Sequence, residues 1–411
     1  MATMISPSSA PTPVSAPAPL LNALDALLPV YKRPPMEFVR GEGATLYDAE
    51  GHAWLDFTSG IAVNALGYGD PGLRSAMHEA AEGLIHVSNL FRTAPGERLA
   101  QRLVELSFAD RVFFCNSGVE ANEGAFKFAR KWARASGADG AAAKSDIFAL
   151  RGAFHGRLFA SLAATDRPAY RTPFRPLAGG ISIVERDIED LAIALQPETT
   201  AAVIVEPVQG EGGMRVLDAG LLRELRALTR ERGIALILDE IQCGMGRTGT
   251  LFAYEQFDIE PDLLTLAKPL AGGLPMGAIL MTEEIAAAIQ PGDHGTTFGG
   301  GPFVSSVALH VVDRLSEPAL LTHVQSTGAW LASELEALAA RQPTVRAVRG
   351  RGLMWGLDVA RPAAECVARA RDAGLLLVSA GQHTLRLLPP LTVTREELRS
   401  GLRILEAAIV R

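Results

Sequence analysis

Lysine is scarce in this chain, with five in 411 residues, Lys32, Lys127, Lys131, Lys144 and Lys268. Cysteine is scarcer still. Cys115, Cys243 and Cys366 are widely spaced and odd in number, which excludes a disulfide framework and any C-x-x-C pair. Free thiols of this kind fit a reducing compartment, and a cytoplasmic location is expected. A basic field is also missing: the formal charge is -7 and the basic residues are scattered, so nucleic acid is not an expected partner. The longest nearly uncharged run after the N-terminal tail, LTLAKPLAGGLPMGAILM from Leu264 to Met281, is interrupted by Pro269, Gly272, Gly273, Pro275 and Gly277. Those breaks would leave backbone groups unpaired in lipid, so the run is not a membrane span. The first twenty residues lack the features of a secretory signal or a mitochondrial presequence. They are expected to form a disordered Ala/Pro/Ser tail.

Several catalytic signatures are absent. No Gly-Lys pair occurs, so the acidic strand end ALILDEIQ has no phosphate loop to partner it as a nucleotide hydrolase would require. His78-Glu79-Ala-Ala-Glu82 lacks the second histidine of a zinc protease, and neither G-x-S-x-G nor S-x-x-K is found. Gly244-Met-Gly246-Arg-Thr-Gly249 matches the dinucleotide fingerprint in form, but GTLFAYEQFD is a poor opening for the helix that must follow.

What is present reads as an α/β enzyme. After short strand-like runs in GEGATLYDAEGHAWLDFTSG and an amphipathic helix from Leu73 to Glu82, apolar runs alternate with helical ones from about Asp110. That alternation predicts a large domain built on a mostly parallel sheet covered on both faces. A long helical stretch from Val304 to Leu338 and a strand-rich remainder predict a smaller α+β domain. The expected divisions are a tail at 1–20, an N-terminal segment at 21–72 contributing to the small domain, the large domain at 73–303 and the C-terminal small domain at 304–411.

Three features carry chemistry. Ser117 and Gly118 in FFCNSGVEANE follow a strand and open a helix, where free N–H groups and the positive end of the dipole can hold an anion. Ser117-x-x-Glu120 is equally a capping box that satisfies the same donors. Asp239 ends an apolar strand and reads as a buried acid needing a cationic partner. Lys268 stands at the end of the apolar run DLLTLA, before a Gly/Pro loop that lets a ligand approach closely. A desolvated amine there has a lowered pKa and can act as a nucleophile toward a carbonyl. An anion site, a buried acid and a buried lysine are the set that pyridoxal 5'-phosphate needs.

With these residues in view, the chain resembles the class III (omega) aminotransferases of fold type I along nearly its whole length after the tail. The matching stretches are SGIAVNALG, HVSNLF, NSGVEANE, FHGR, VEPVQGEGG, LDEIQCGMGRTG, TLAKPLAGG, HGTTFGG and LRLLPPL. The resemblance implies that Lys268 is the Schiff-base lysine, Asp239 the partner of the pyridine nitrogen, and Ser117 and Gly118 the phosphate holders. Thr297 would join them from a second subunit of a homodimer. Phe154 would stack on the ring and Gln242 would lie near its hydroxyl oxygen. On the substrate side, Arg157 would take the carboxylate of the amino donor with Thr296 nearby. Arg386 would bind 2-oxoglutarate, and Glu211 would pair with it until the diacid arrives.

The implied activity moves the terminal amino group of N2-acetyl-L-ornithine to 2-oxoglutarate. Alternative donors are ornithine, succinylornithine, 4-aminobutyrate and a carrier-bound substrate of lysine biosynthesis. A pyridoxal-phosphate-binding protein without transaminase activity is the rival from another class. The runs GYGDP and GGGPFV depart from the family pattern, which often has His at Tyr68 and Asp70 and Asn at Gly301. Those loops are expected near substrate or a subunit contact.

Overall fold

In the computed structural model the described residues are 26–135 and 144–410. The tail expected at 1–20 lies outside them. The chain divides into two compact units, Met1–Glu37 and Phe38–Arg411. Of the first, residues 26–37 are described and hold no helix or strand.

The second unit opens on a meander, β1 (Phe38–Glu42), β2 (Thr45–Asp48) and β3 (Ala53–Asp56). Then come β4 (Arg111–Cys115), β5 (Asp146–Leu150), β6 (Ile181–Val184), β7 (Thr200–Val205), the short β8 (Val208–Gln209) and β9 (Arg215–Val216), β10 (Ala235–Asp239), β11 (Leu263–Leu266) and β12 (Gly277–Met281). Seven of these form the central sheet in the order β4-β12-β11-β10-β7-β5-β6. Only β12 runs against its neighbours, pairing antiparallel with both β11 and β4. The mostly parallel sheet expected from the alternation is therefore present. One strand was not anticipated: GAILM, beyond the Gly/Pro loop that follows Lys268, turns back into the sheet as β12.

The strand sequences explain the layering. Every residue of β7, β10, β11 and β12 is buried. A strand covered on both faces has no polar side to show, so it reads as a continuous apolar run. Successive side chains still point to opposite faces. Val203, Val205, Leu236, Leu238, Leu264, Leu266, Ala278 and Leu280 join one core cluster, while Ala202, Ile204, Ala235, Ile237, Leu263, Ile279 and Met281 join another. The second core is closed by helix Gly118–Ala135 through Ala121, Ala125, Phe126, Phe128, Ala129 and Trp132.

The helical stretch expected as one element is two, Pro302–Leu315 and Pro318–Arg341. Pro318 has no N–H to continue the first helix and suits the first turn of the second. The C-terminal part adds β13 (Val345–Arg351), β14 (Met354–Val359), β15 (Leu375–Leu376), β16 (Val378–Ala380) and β17 (Thr384–Leu387). Strands β13, β14, β17 and β16 make an antiparallel sheet, and β15 joins β1–β3 through parallel pairing with β3. Among the described residues no helix is long and apolar enough to cross a membrane.

Candidate active site

The carboxyl ends of β4, β5, β7, β10 and β11 open on one cavity of about 390 Å³. Open α/β sheets bind ligands on this edge. Ser117, Gly118, Phe154, Arg157, Glu211, Asp239, Gln242 and Lys268 all line the cavity.

The Ser117 turn is capped by side chains on both sides. Ser117 Oγ accepts the Glu120 N–H at 3.3 Å, and the Glu120 carboxylate accepts the N–H of Asn116 at 2.6 Å. The cap thus spends the donors on either side of the turn. Gly118 and Val119, the first two helical residues, have no intrahelical carbonyl to bind and face the cavity. A Cβ at Gly118 would lie 2.8 Å from the Ile241 side chain, so the glycine keeps this mouth open.

Asp239 is 4% exposed. Its Oδ2 accepts from the Asn122 amide and from His155 Nδ1, both at 2.8 Å, and its Oδ1 accepts the Ile241 N–H at 3.1 Å. Facing a carboxylate, Nδ1 must carry the proton. The sequence reading asked for a cationic partner, and the structure supplies directed donors. Asn122 is fully buried: its amide also donates to the His155 carbonyl, and its oxygen accepts from Thr265 on β11. Glu206, beneath the same wall, accepts the Phe154 and Gly210 N–H groups. Burial, with Asp239 adding to it, pushes its carboxyl up to about 7. His155, Asn122 and Glu206 were missed although they stand inside FHGR, NSGVEANE and VEPVQGEGG, and a polar residue such as Asn122 on an otherwise apolar helix face is the signal that could have found them.

Lys268 is half-buried at the cavity wall, on the single turn Lys268–Ala271 after β11. Burial lowers its pKa from the ordinary lysine value, and the nearby negative charge of Asp239 opposes that shift. The result is an amine held closer to neutrality than a surface lysine.

Arg386, on β17, is 2% exposed, and its guanidinium meets the Glu211 carboxylate at 2.7 Å. Gln242 Oε1 lies 3.5 Å from Arg386 Nη1. Arg157 is exposed on the cavity's rim and stacks over Tyr170, its guanidinium carbon 3.6 Å from the ring centroid. Thr296 and Thr297 are not brought to this cavity. They line a second one with His86, Asn89, Leu90 and Phe91. Thr296 Oγ1 accepts from the Asn116 amide at 3.2 Å, and Thr297 is exposed.

The three departures have structural work away from the cavity. The Tyr68 hydroxyl donates to Asp56 at 2.6 Å, Asp70 caps helix Pro71–Glu82 through the Leu73 N–H, and Gly301 precedes helix Pro302–Leu315.

This cavity suits a flat ligand with an anionic end for the helix start, a ring nitrogen for Asp239 and an electrophilic carbon for Lys268. The orphaned His155 Nε2, buried without a partner among the described residues, marks the same wall as built for a polar ligand. Fold and site together define a pyridoxal-phosphate-dependent enzyme of fold type I. The description "Aminotransferase class-III" matches residues 29–409, and the chain belongs to that family. It is 45% identical over 381 residues to the mitochondrial acetylornithine aminotransferase of Alnus glutinosa, covering 92% of this chain and 84% of that one. It is 43% identical over 392 residues to a succinylornithine transaminase of Yersinia pseudotuberculosis, covering 93% and 94%. Among solved structures, an ornithine aminotransferase from Toxoplasma gondii with partial pyridoxal phosphate occupancy superposes with a TM-score of 0.88 at 29% identity, covering 94% and 92%.

Proposed function

We propose that the protein transfers the terminal amino group of N2-acetyl-L-ornithine to 2-oxoglutarate, giving N-acetyl-L-glutamate 5-semialdehyde and L-glutamate. The observation that carries this reading is the Arg386–Glu211 ion pair on the cavity that also holds Lys268. A two-substrate cycle must first accept an omega-amine with no carboxylate near the reacting carbon, then a diacid. A buried arginine masked by a movable carboxylate meets both needs: paired, its charge is neutralised, and a diacid can replace Glu211 as its partner. Arg157 supplies a second, unmasked receiver for the donor's own carboxylate.

When bound, pyridoxal phosphate supplies an electrophilic carbonyl carbon and an electron-accepting ring. Ser117 and Gly118 would hold its phosphate, Asp239 would keep a proton on the ring nitrogen, Phe154 would cover the ring face, and Gln242 would lie near the ring hydroxyl. Lys268 would hold the cofactor through Nζ, and the same amine would take a proton from the donor carbon and redeliver it. Its lowered pKa suits both tasks.

The working unit is a cytoplasmic homodimer in which Thr297 serves the partner's cavity. Three free buried cysteines accord with a reducing compartment. Leu84, Ile85, Leu90, Phe91 and Phe298 are each at least 59% exposed, and the Leu90, Phe91 and Thr297 neighbourhood is one surface. Large exposed apolar side chains gathered in this way mark an interface.

The Yersinia relative supports a second reading, with succinylornithine as donor. A panel of omega-amines with 2-oxoglutarate, scored by kcat/KM, separates the two. N2-acetyl-L-ornithine is expected to lead, absence of its turnover contradicts the proposal, and a larger value for N2-succinyl-L-ornithine assigns the second reading.

A further inference from the structure

Arg157 makes no hydrogen bond or ion pair among the described residues. Its planar group is fixed by contact with a ring instead, Tyr170 at 3.6 Å, with Phe154 further off at 5.9 Å. Stacking uses the face of a guanidinium and leaves its in-plane N–H donors unspent, the edge that grips a carboxylate bidentately. Tyr170 sits on the single turn Pro168–Arg171, and that turn is itself tied down. The Asp166 N–H donates to Ala153 O at 2.8 Å, and the Asp166 carboxylate accepts the Gly152 N–H at 2.8 Å. Arg167 donates to the backbone carbonyl of Glu211. Thr165, fully buried, accepts the N–H groups of His155 and Gly156 at 2.9 and 3.2 Å. The ring is therefore anchored to the same loop that carries Arg157.

We propose that Tyr170 is a specificity-determining positioning residue, holding the Arg157 guanidinium face-on so that its free edge receives the amino donor's carboxylate. This rests on the reading of Arg157 as the donor's carboxylate receiver. An exposed arginine samples many rotamers, and ordering it on binding costs affinity. Stacking it beforehand removes that cost for a donor bearing a carboxylate and does nothing for one without it.

The test compares N2-acetyl-L-ornithine with its α-carboxamide as donors for the holoenzyme. Wild type is expected to prefer the acid in kcat/KM. Tyr170→Ala and Tyr170→Leu are expected to raise KM for the acid about fivefold at nearly constant kcat, which shrinks that preference. Tyr170→Phe is expected to restore it, since the ring face remains. The KM for 2-oxoglutarate, read in the same preparations, is expected to stay at the wild-type value. A retained acid preference in both Tyr170→Ala and Tyr170→Leu overturns the role of Tyr170, as does an equal rise in both substrates' KM or failure of the phenylalanine variant. A wild type with no preference for acid over amide overturns the reading of Arg157 beneath it.

Discussion

An isolated arginine inside a protein is expensive, and Arg386 is tolerable there because Glu211 neutralises it. Removing the carboxylate leaves a buried cation that welcomes any α-carboxylate. In Glu211→Ala, the ratio of kcat/KM for N2-acetyl-L-ornithine to that for L-glutamate as donor is expected to fall about tenfold. An unchanged ratio would remove the switching role. At this scale the sequence was informative wherever chemistry forces an unusual placement. Lys268 stood out as one amine in a long apolar run, and Asp239 as an acid at the end of one. Asn122 and His155 were harder to read because their work is directional: only the fold brings Thr265, Asn122 and Asp239 within hydrogen-bond reach. Glu240 shows the converse. It reads like a second catalytic acid beside Asp239, yet its two oxygens accept the Ala253 and Tyr254 N–H groups and hold the turn after β10.

Among the elements, the hairpin of β11 and β12 does most to shape the site. Strand β11 delivers Lys268, and β12 returns against β4 with Gly277 opposite Cys115. A Cβ at Gly277 would lie 2.4 Å from the Ser117 carbonyl oxygen and 2.8 Å from the Cys115 sulfur. Backbone cannot yield as a side-chain tip can, so Gly277→Ala should displace the Ser117 turn, the proposed phosphate holder. Affinity for pyridoxal phosphate is expected to fall about tenfold or more, with a lowered Tm, as titration of the cofactor-free protein and thermal melting would report. Wild-type affinity would show that the turn adapts. The parallel strands were legible because burial on both faces writes continuous apolar runs. β12 was not, because Gly272, Gly273, Pro275 and Gly277 announce a loop while Ala278–Met281 behaves as a strand, and only pairing with β4 and β11 decides between them.

For the whole molecule, the proposed homodimer makes the cavity a shared site, with Lys268 from one chain and Thr297 from the other. Mixing inactive Lys268→Ala subunits with Thr297→Ala subunits separates trans from cis. In a mixed dimer one site then has both residues intact, and at limiting pyridoxal phosphate about a quarter of wild-type turnover is expected from random pairing. No recovery would place Thr297 outside the partner's site. The central claim, that this fold presents pyridoxal phosphate on Lys268 to an omega-amine, is tested most directly by the visible spectrum of the purified holoenzyme. Adding N2-acetyl-L-ornithine alone should bleach the cofactor's visible band, 2-oxoglutarate should then restore it, and Lys268→Ala should do neither at a catalytic rate. A wild-type spectrum unmoved by the amine would contradict the account.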